Sequence, residues 1–185
     1  LYNTACVYGG ITNTLDDCGN AKSAMDVDPT STAGSTALSA SYDFGDGFTA
    51  AFGYEGAGEN SAGLMTKESF DTYGLQVSYL DEDGQFGGSL TYAIEETSQT
   101  AETTYWGLNA YWTPEDVGAI PSISVGYEIG NPSASSNDTT HYFVGFQWDE
   151  VGAGTLGASF GTDQHYADNA TEYLMYEAFY SYPIN

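Results

Sequence analysis

Residues 48–55 read Phe48-Thr49-Ala50-Ala51-Phe52-Gly53-Tyr54-Glu55, and the fold turns on their two-residue rhythm. Phe48, Ala50, Phe52 and Tyr54 alternate with Thr49, Ala51, Gly53 and Glu55. Successive side chains of a strand point to opposite faces, so the segment has one greasy aromatic face and one small or polar face. The rhythm returns at Tyr142, Val144, Phe146 and Trp148, and again at Leu174, Tyr176, Ala178, Tyr180 and Tyr182. Nine strands are expected, near residues 36–44, 47–56, 70–80, 85–95, 103–113, 120–130, 140–149, 153–162 and 172–182. Residues 36–185 thus read as one all-β, antiparallel, up-and-down unit. Residues 1–35, rich in Gly, Asn, Asp, Thr and Ser, read as a loop or extension.

The links support that topology. Asp46-Gly47 and Asp83-Gly84 are hairpin signals, because glycine accepts the positive φ of tight turns. Pro114 and Gly118 break the chain between the fifth and sixth strands. Residues 57–69, 131–139 and 163–171 form longer polar links, so tight and long connections are expected to alternate, as in membrane barrels.

Charge narrows the partners. The chain has 26 acidic residues against two lysines (Lys22 and Lys67) and no arginine, a formal charge of −24. Such a surface repels nucleic acid, whose phosphates require Lys and Arg, and attracts cations. Adaptation to a salty medium and a direct role in selecting ions both account for the acidity. Disorder does not, since 16 Tyr, nine Phe and three Trp are present. No apolar run approaches the ~18 residues of a spanning helix, but a spanning strand needs only about 9–11 with alternate positions apolar. Cys6 and Cys18, the only cysteines, are expected to close a disulfide in an oxidising, extracytoplasmic setting.

The face opposite the aromatics holds Asp43, Glu55, Gln76, Glu95, Glu128, Gln147, Asp149 and Glu177 among Gly, Ala, Ser and Thr. Either this face lines a water-filled lumen, or it lies outside around an aromatic core. Eight or more strands pointing large aromatics inward overfill a small barrel, which favours the lumen and makes these eight residues pore-lining candidates. Tyr42, Tyr54, Tyr79, Trp106, Trp112, Trp148 and Tyr182 sit toward strand ends, where aromatic girdles would meet the two membrane interfaces. Tyrosine's ordinary preference for strands also puts it there.

Enzyme chemistry finds little support. His141 and His165 stand apart from any nucleophile at recognisable spacing. Asp81-Glu82-Asp83-Gly84 lacks the ligand alternation of a calcium loop and reads as a hairpin turn. The acids offer no distinguished pair. No catalytic residue, metal site or cofactor is expected.

Trp112-Thr113-Pro114-Glu115-Asp116, followed by Ile120-Pro121-Ser122-Ile123-Ser124-Val125-Gly126-Tyr127, resembles the cyanobacterial outer-membrane porins, a family grouped with carbohydrate-selective and iron-uptake porins. Tyr176-Glu177-Ala178-Phe179-Tyr180-Ser181-Tyr182-Pro183-Ile184-Asn185 is similar to that family's penultimate strand region. The resemblance implies a transmembrane barrel in the outer membrane, usually a homotrimer, through which small hydrophilic solutes and inorganic ions diffuse. Family barrels have about 16 strands, and an N-terminal domain grips peptidoglycan. The nine strands here are therefore expected to be the C-terminal portion of a larger barrel, with cation preference set by lumen carboxylates. The rival expectation is an acidic extracellular structural protein that assembles through unpaired strand edges.

Overall fold

The computed structural model describes residues 36–56, 71–98, 100–116, 118–162, 166–167 and 169–184. Cys6, Cys18, His165 and the expected 1–35 extension lie outside these residues, as do both lysines. Among the described residues ten strands form one sheet: β1 (Thr36–Gly45), β2 (Phe48–Gly56), β3 (Asp71–Leu80), β4 (Phe86–Ser98), β5 (Ala101–Trp112), β6 (Ser122–Pro132), β7 (Thr139–Val151), β8 (Gly154–Thr162), β9 (Tyr166–Ala167) and β10 (Leu174–Ser181). Nine run in the order β1-β2-β3-β4-β5-β6-β7-β8-β10, every neighbour antiparallel, while the two-residue β9 pairs with Thr139 and Thr140 of β7. Among the described residues there is no helix, and the sheet is not closed as a barrel: β1 pairs only with β2, and β10 only with β8.

The hairpins follow from local chemistry. Asp46 (φ 51°) and Gly47 (φ 83°) both take left-handed conformations, the geometry of a type I′ turn whose twist matches that of the flanking strands. A Cβ on Gly47 would collide with the backbone carbonyl of Leu80, so only glycine fits there. Gly152 (φ 68°) opens the β7–β8 turn, a hairpin signal the sequence reading did not single out.

The expected alternation of tight and long links breaks in two places. Ser98 pairs with Ala101, so β4 and β5 meet through residues 99–100 alone at the end where the other links are long. The β5–β6 connection, at the opposite end, spans residues 113–121. At the first departure the ladder runs past the expected ends at Glu95 and Thr103: Glu96, outside the expected strands, pairs with Glu102, and Ser98 with Ala101.

The packing is inverted relative to a water-soluble sheet. The only fully buried hydrophobic residues described are Ala93 and Phe143, whereas Gln76, Ser89, Thr91, Asn109, Ser122, Ser124, Glu128, His141 and Ser159 are all buried. Leu38, Phe52, Leu75, Val77, Leu90, Trp106, Leu108, Trp112, Tyr127 and Tyr176 are exposed. Soluble monomers rarely expose contiguous apolar patches beyond a few hundred Å², and here exposed large apolar residues occur on eight of the nine long strands.

Candidate functional site

The register places every large apolar side chain of the rhythm on one face. Four directly opposed aromatic pairs cross the end carrying most of the long links: Tyr54 with Tyr73, Tyr92 with Trp106, Tyr127 with Tyr142, and Phe160 with Tyr176. Ring centroids are 5.2 Å apart in the first pair and 4.6 Å in the second. A second row crosses the other end through Tyr42, the Phe48–Tyr79 and Phe86–Trp112 pairs, and Trp148. Phe48 and Tyr79 are 4.7 Å apart, and Phe86 continues the contact at 5.4 Å from Tyr79. Tyr182, one residue past β10, extends this row in sequence.

The two rows keep a constant interval. Phe48 and Tyr54 on β2, Tyr73 and Tyr79 on β3, Phe86 and Tyr92 on β4, Trp106 and Trp112 on β5, and Tyr142 and Trp148 on β7 are each six residues apart. Tyr176 and Tyr182 repeat it. Between the rows lie mainly aliphatic and small side chains, among them Ala50, Leu75, Val77, Leu90, Leu108, Val125, Val144 and Ala158. Six residues span about 20 Å along a strand.

Both rows also climb across the sheet. Tyr73 faces Ile94, but the aromatic on β4 is Tyr92, two residues nearer the turn end. Trp106 faces Ile129, and the aromatic on β6 is Tyr127. Val144 faces Phe160, again two residues below the partner expected for Tyr142. A drift of two residues every two strands is one residue per strand. With ~3.4 Å per residue and ~4.8 Å between strands, the rows are level when the strands tilt by about 35°. The two rows are then about 17 Å apart vertically between Cα positions.

Tyr54, Tyr73 and Tyr180 have partners for their polar tips. Tyr54 and Tyr73 donate to the two carboxylate oxygens of Asp71, at 3.4 and 3.2 Å. Tyr180, inside the band, donates to the Val151 carbonyl at 2.8 Å.

On the buried face, the stretch between the two rows is nearly neutral. It contains Gln76, whose amide donates to Thr91 Oγ1 at 3.2 Å, and Asn109, whose amide donates to Ser89 Oγ at 3.4 Å. Ser122, Ser124 and Ser159 share the level, with Ser124 Oγ buried and lacking a hydrogen-bond partner. Glycines separate them, and each inward aromatic stands opposite one: Tyr111 opposite Gly87, Phe143 opposite Gly126 and Gly161, and Phe179 opposite Gly157. A Cβ on Gly87 would sit 2.6 Å from the Tyr111 ring, and one on Gly157 would strike the Phe179 ring. The Tyr111 and Phe179 rings therefore lie over their glycines instead of standing away from the sheet.

The carboxylates gather at the two ends. Asp43 and Asp149 lie one residue beyond the turn-end aromatic row, and Gln147 donates to Asp149 across that level. Glu128 lies one residue beyond the other row, directly opposite His141, whose Nδ1 is 3.0 Å from Thr162 Oγ1. Glu95, three residues beyond the row, accepts from Tyr105 at 3.2 Å. Glu55 belongs to this end by register, opposite Thr72; its side chain lies outside the described residues. Of the eight polar-face candidates, only Glu177 puts a charge between the rows. Gln76 and Gln147 join it there without one. The seven aromatic candidates divide between the rows, Tyr54 and Trp106 on one and Tyr42, Tyr79, Trp112, Trp148 and Tyr182 on the other.

Sequence reasoning named seven girdle residues but missed Phe48, Tyr73, Phe86, Tyr92, Tyr127, Tyr142, Phe160 and Tyr176. The six-residue interval would have found most of them. It also missed Tyr105 and the glycine-opposed rings, which emerge only from register. No group of three or more His, Cys, Asp or Glu among the described residues is arranged to hold a metal ion. No family model, curated protein or solved structure matches the chain.

Proposed function

We propose that this sheet is part of the wall of an outer-membrane porin, with lipid on the apolar face and water on the buried polar face. The observation that carries the reading is the pair of aromatic rows, six residues apart and level at a strand tilt of about 35°, flanking an apolar band. Outer-membrane barrels tilt their strands ~35–45° and border an apolar band with aromatic girdles. Tyr and Trp favour those interfaces because an apolar ring ends in a polar tip. The unpartnered hydroxyl of Ser124 suits a hydrated lumen, since water supplies what the protein does not.

Transport through such a wall is passive. Asp43 and Asp149 at one mouth and Glu128 and Glu95 at the other concentrate cations and repel anions. The waist between them, hydroxyls and amides with Glu177 as its one carboxylate, offers mainly neutral hydrogen bonds, so a hydrated solute crosses without being held. Small hydrophilic solutes and inorganic cations are the cargo, and a homotrimer is the assembly that the porin resemblance implies. The test is the reversal potential in a planar bilayer under a potassium chloride gradient. Cation preference supports the reading, and equal permeability to potassium and chloride contradicts it.

The open edges at β1 and β10 favour a second reading, an acidic extracellular protein that assembles strand to strand. Detergent separates the two. A porin needs it to stay monodisperse, whereas an extracellular assembly protein polymerises without it.

A further inference from the structure

Resting on the porin reading, we propose that His141 and Glu128 form a proton-binding site at the mouth that carries most of the long links. One proton taken up by the imidazole cancels the Glu128 charge and lowers the cation preference of the pore.

Register sets the pair. Glu128 on β6 stands directly opposite His141 on β7, on the polar face one residue beyond the aromatic row. Glu128 is 4% exposed and His141 2%. A buried carboxylate is costly without a positive partner, and no described residue is a lysine or arginine. Among the described residues, only the His141 imidazole supplies a positive charge, and it does so reversibly, because histidine changes charge between about pH 5 and 8.

The surroundings suit both states of the ring. Thr162 Oγ1, 3.0 Å from Nδ1, also accepts the Tyr142 N–H at 3.2 Å. A hydroxyl oxygen accepts two hydrogen bonds, so it takes the Nδ1–H as well and holds the ring in place. Nε2 is then the nitrogen that gains or loses the proton. Two further titratable groups share this level. Tyr105 on β5 has its ring 2.9 Å from where a Cβ on Gly130 would stand, and its hydroxyl donates to Glu95 of β4 at 3.2 Å. From β8 the facing group is the uncharged Thr162. On β7 itself Thr139 and Phe143 flank His141, and β9 places Tyr166 opposite Thr140 by register. Phenols and carboxylates ordinarily keep their charge between about pH 5.5 and 8, so the imidazole carries the change.

At pH 8 the neutral ring leaves the Glu128 charge to attract cations, and at pH 5.5 the imidazolium offsets it. The local change equals that of Glu128→Gln. The potassium-to-chloride permeability ratio is therefore expected to fall roughly twofold between the two conditions.

The test is the reversal potential of the whole protein in a planar bilayer at both pH values, for wild type, His141→Gln and His165→Gln, which replaces the only other histidine. Wild type and His165→Gln are expected to show the fall, and His141→Gln the same ratio at both. A fall that persists in His141→Gln, or a wild-type cation preference indifferent to pH, overturns the inference and leaves the porin reading standing. Absence of cation preference at pH 8 removes both. Should His141→Gln fail to insert, NMR of the His165→Gln protein with 13C-labelled histidine reads the one remaining imidazole. A ring that titrates between pH 8 and 5 upholds the site, and a ring fixed in one protonation state overturns it.

Discussion

The two faces of this sheet share a backbone and differ in almost everything else. Leu90 and Leu108 face each other at the centre of the exposed face. One residue away along the same strands, Ser89 and Asn109 share a hydrogen bond on the buried face. A soluble sandwich would bury the leucines and wet the serine. The reversal is what the proposed membrane wall requires, with apolar solvent outside the sheet and water inside it. The strand period of two lets one chain satisfy both.

The sharpest way to break the comparison is to move a charge from one face to the other. Leu90→Arg, at mid-band, is expected to destabilise the membrane-folded state by about 2–4 kcal/mol. Asn109→Arg, on the buried face, is expected to fold and shift conductance toward anions. Urea titration in liposomes, paired with reversal potentials, reads both. Comparable folding losses for the two would mean that the faces do not differ as claimed.

The buried face also carries a packing constraint that the exposed face lacks. Gly157→Val drives two methyl groups toward the Phe179 ring and is expected to cost about 1–3 kcal/mol. The same urea titration with a Gly157→Val, Phe179→Ala double variant is expected to recover part of that loss. No recovery would show that the ring is not the obstacle.

Much of this was legible in the chain. All nine long strands lie within a few residues of their expected places, because the period-two pattern at Phe48–Glu55 or Tyr142–Asp149 has no competing reading. The Glu96–Glu102 stretch was not legible as strand, since its ladder is held by cross-strand pairing rather than by its own pattern. The distribution of acids was hidden for a related reason. Asp43 and Glu128 look equivalent to Gln76 as polar-face residues, and only their register against the aromatic rows puts these two carboxylates at opposite ends of the sheet. The two-residue β9 has no periodicity to read.

Within the exposed face, the rows and the band between them should also differ. Tyr92→Leu removes one ring of the pair with Trp106 while keeping an apolar side chain, and is expected to cost about 0.5–1.5 kcal/mol. Val77→Leu, within the band, should be close to neutral. Equal losses in liposome unfolding would leave the rows without a special role.

The smallest expected effect is electrostatic. Glu128→Gln at one mouth is expected to lower the potassium-to-chloride permeability ratio roughly twofold, the effect of a few tenths of a kcal/mol of screened Coulomb energy. That change should fade in molar salt, where the screening length is about 3 Å. Ser124→Ala, in the neutral waist, should leave the ratio unaltered.

The three native tryptophans provide the most direct test of which face meets lipid. Trp106 lies on one aromatic row, and Trp112 and Trp148 lie on the other, all on the apolar face. Fluorescence quenching in liposomes made with lipids brominated at shallow or deep acyl positions measures their depth without any substitution. The membrane wall predicts blue-shifted emission, stronger quenching by shallow than by deep bromines, and weak quenching by aqueous iodide. Full quenching by iodide with none by either brominated lipid would place the apolar face in water and contradict the account.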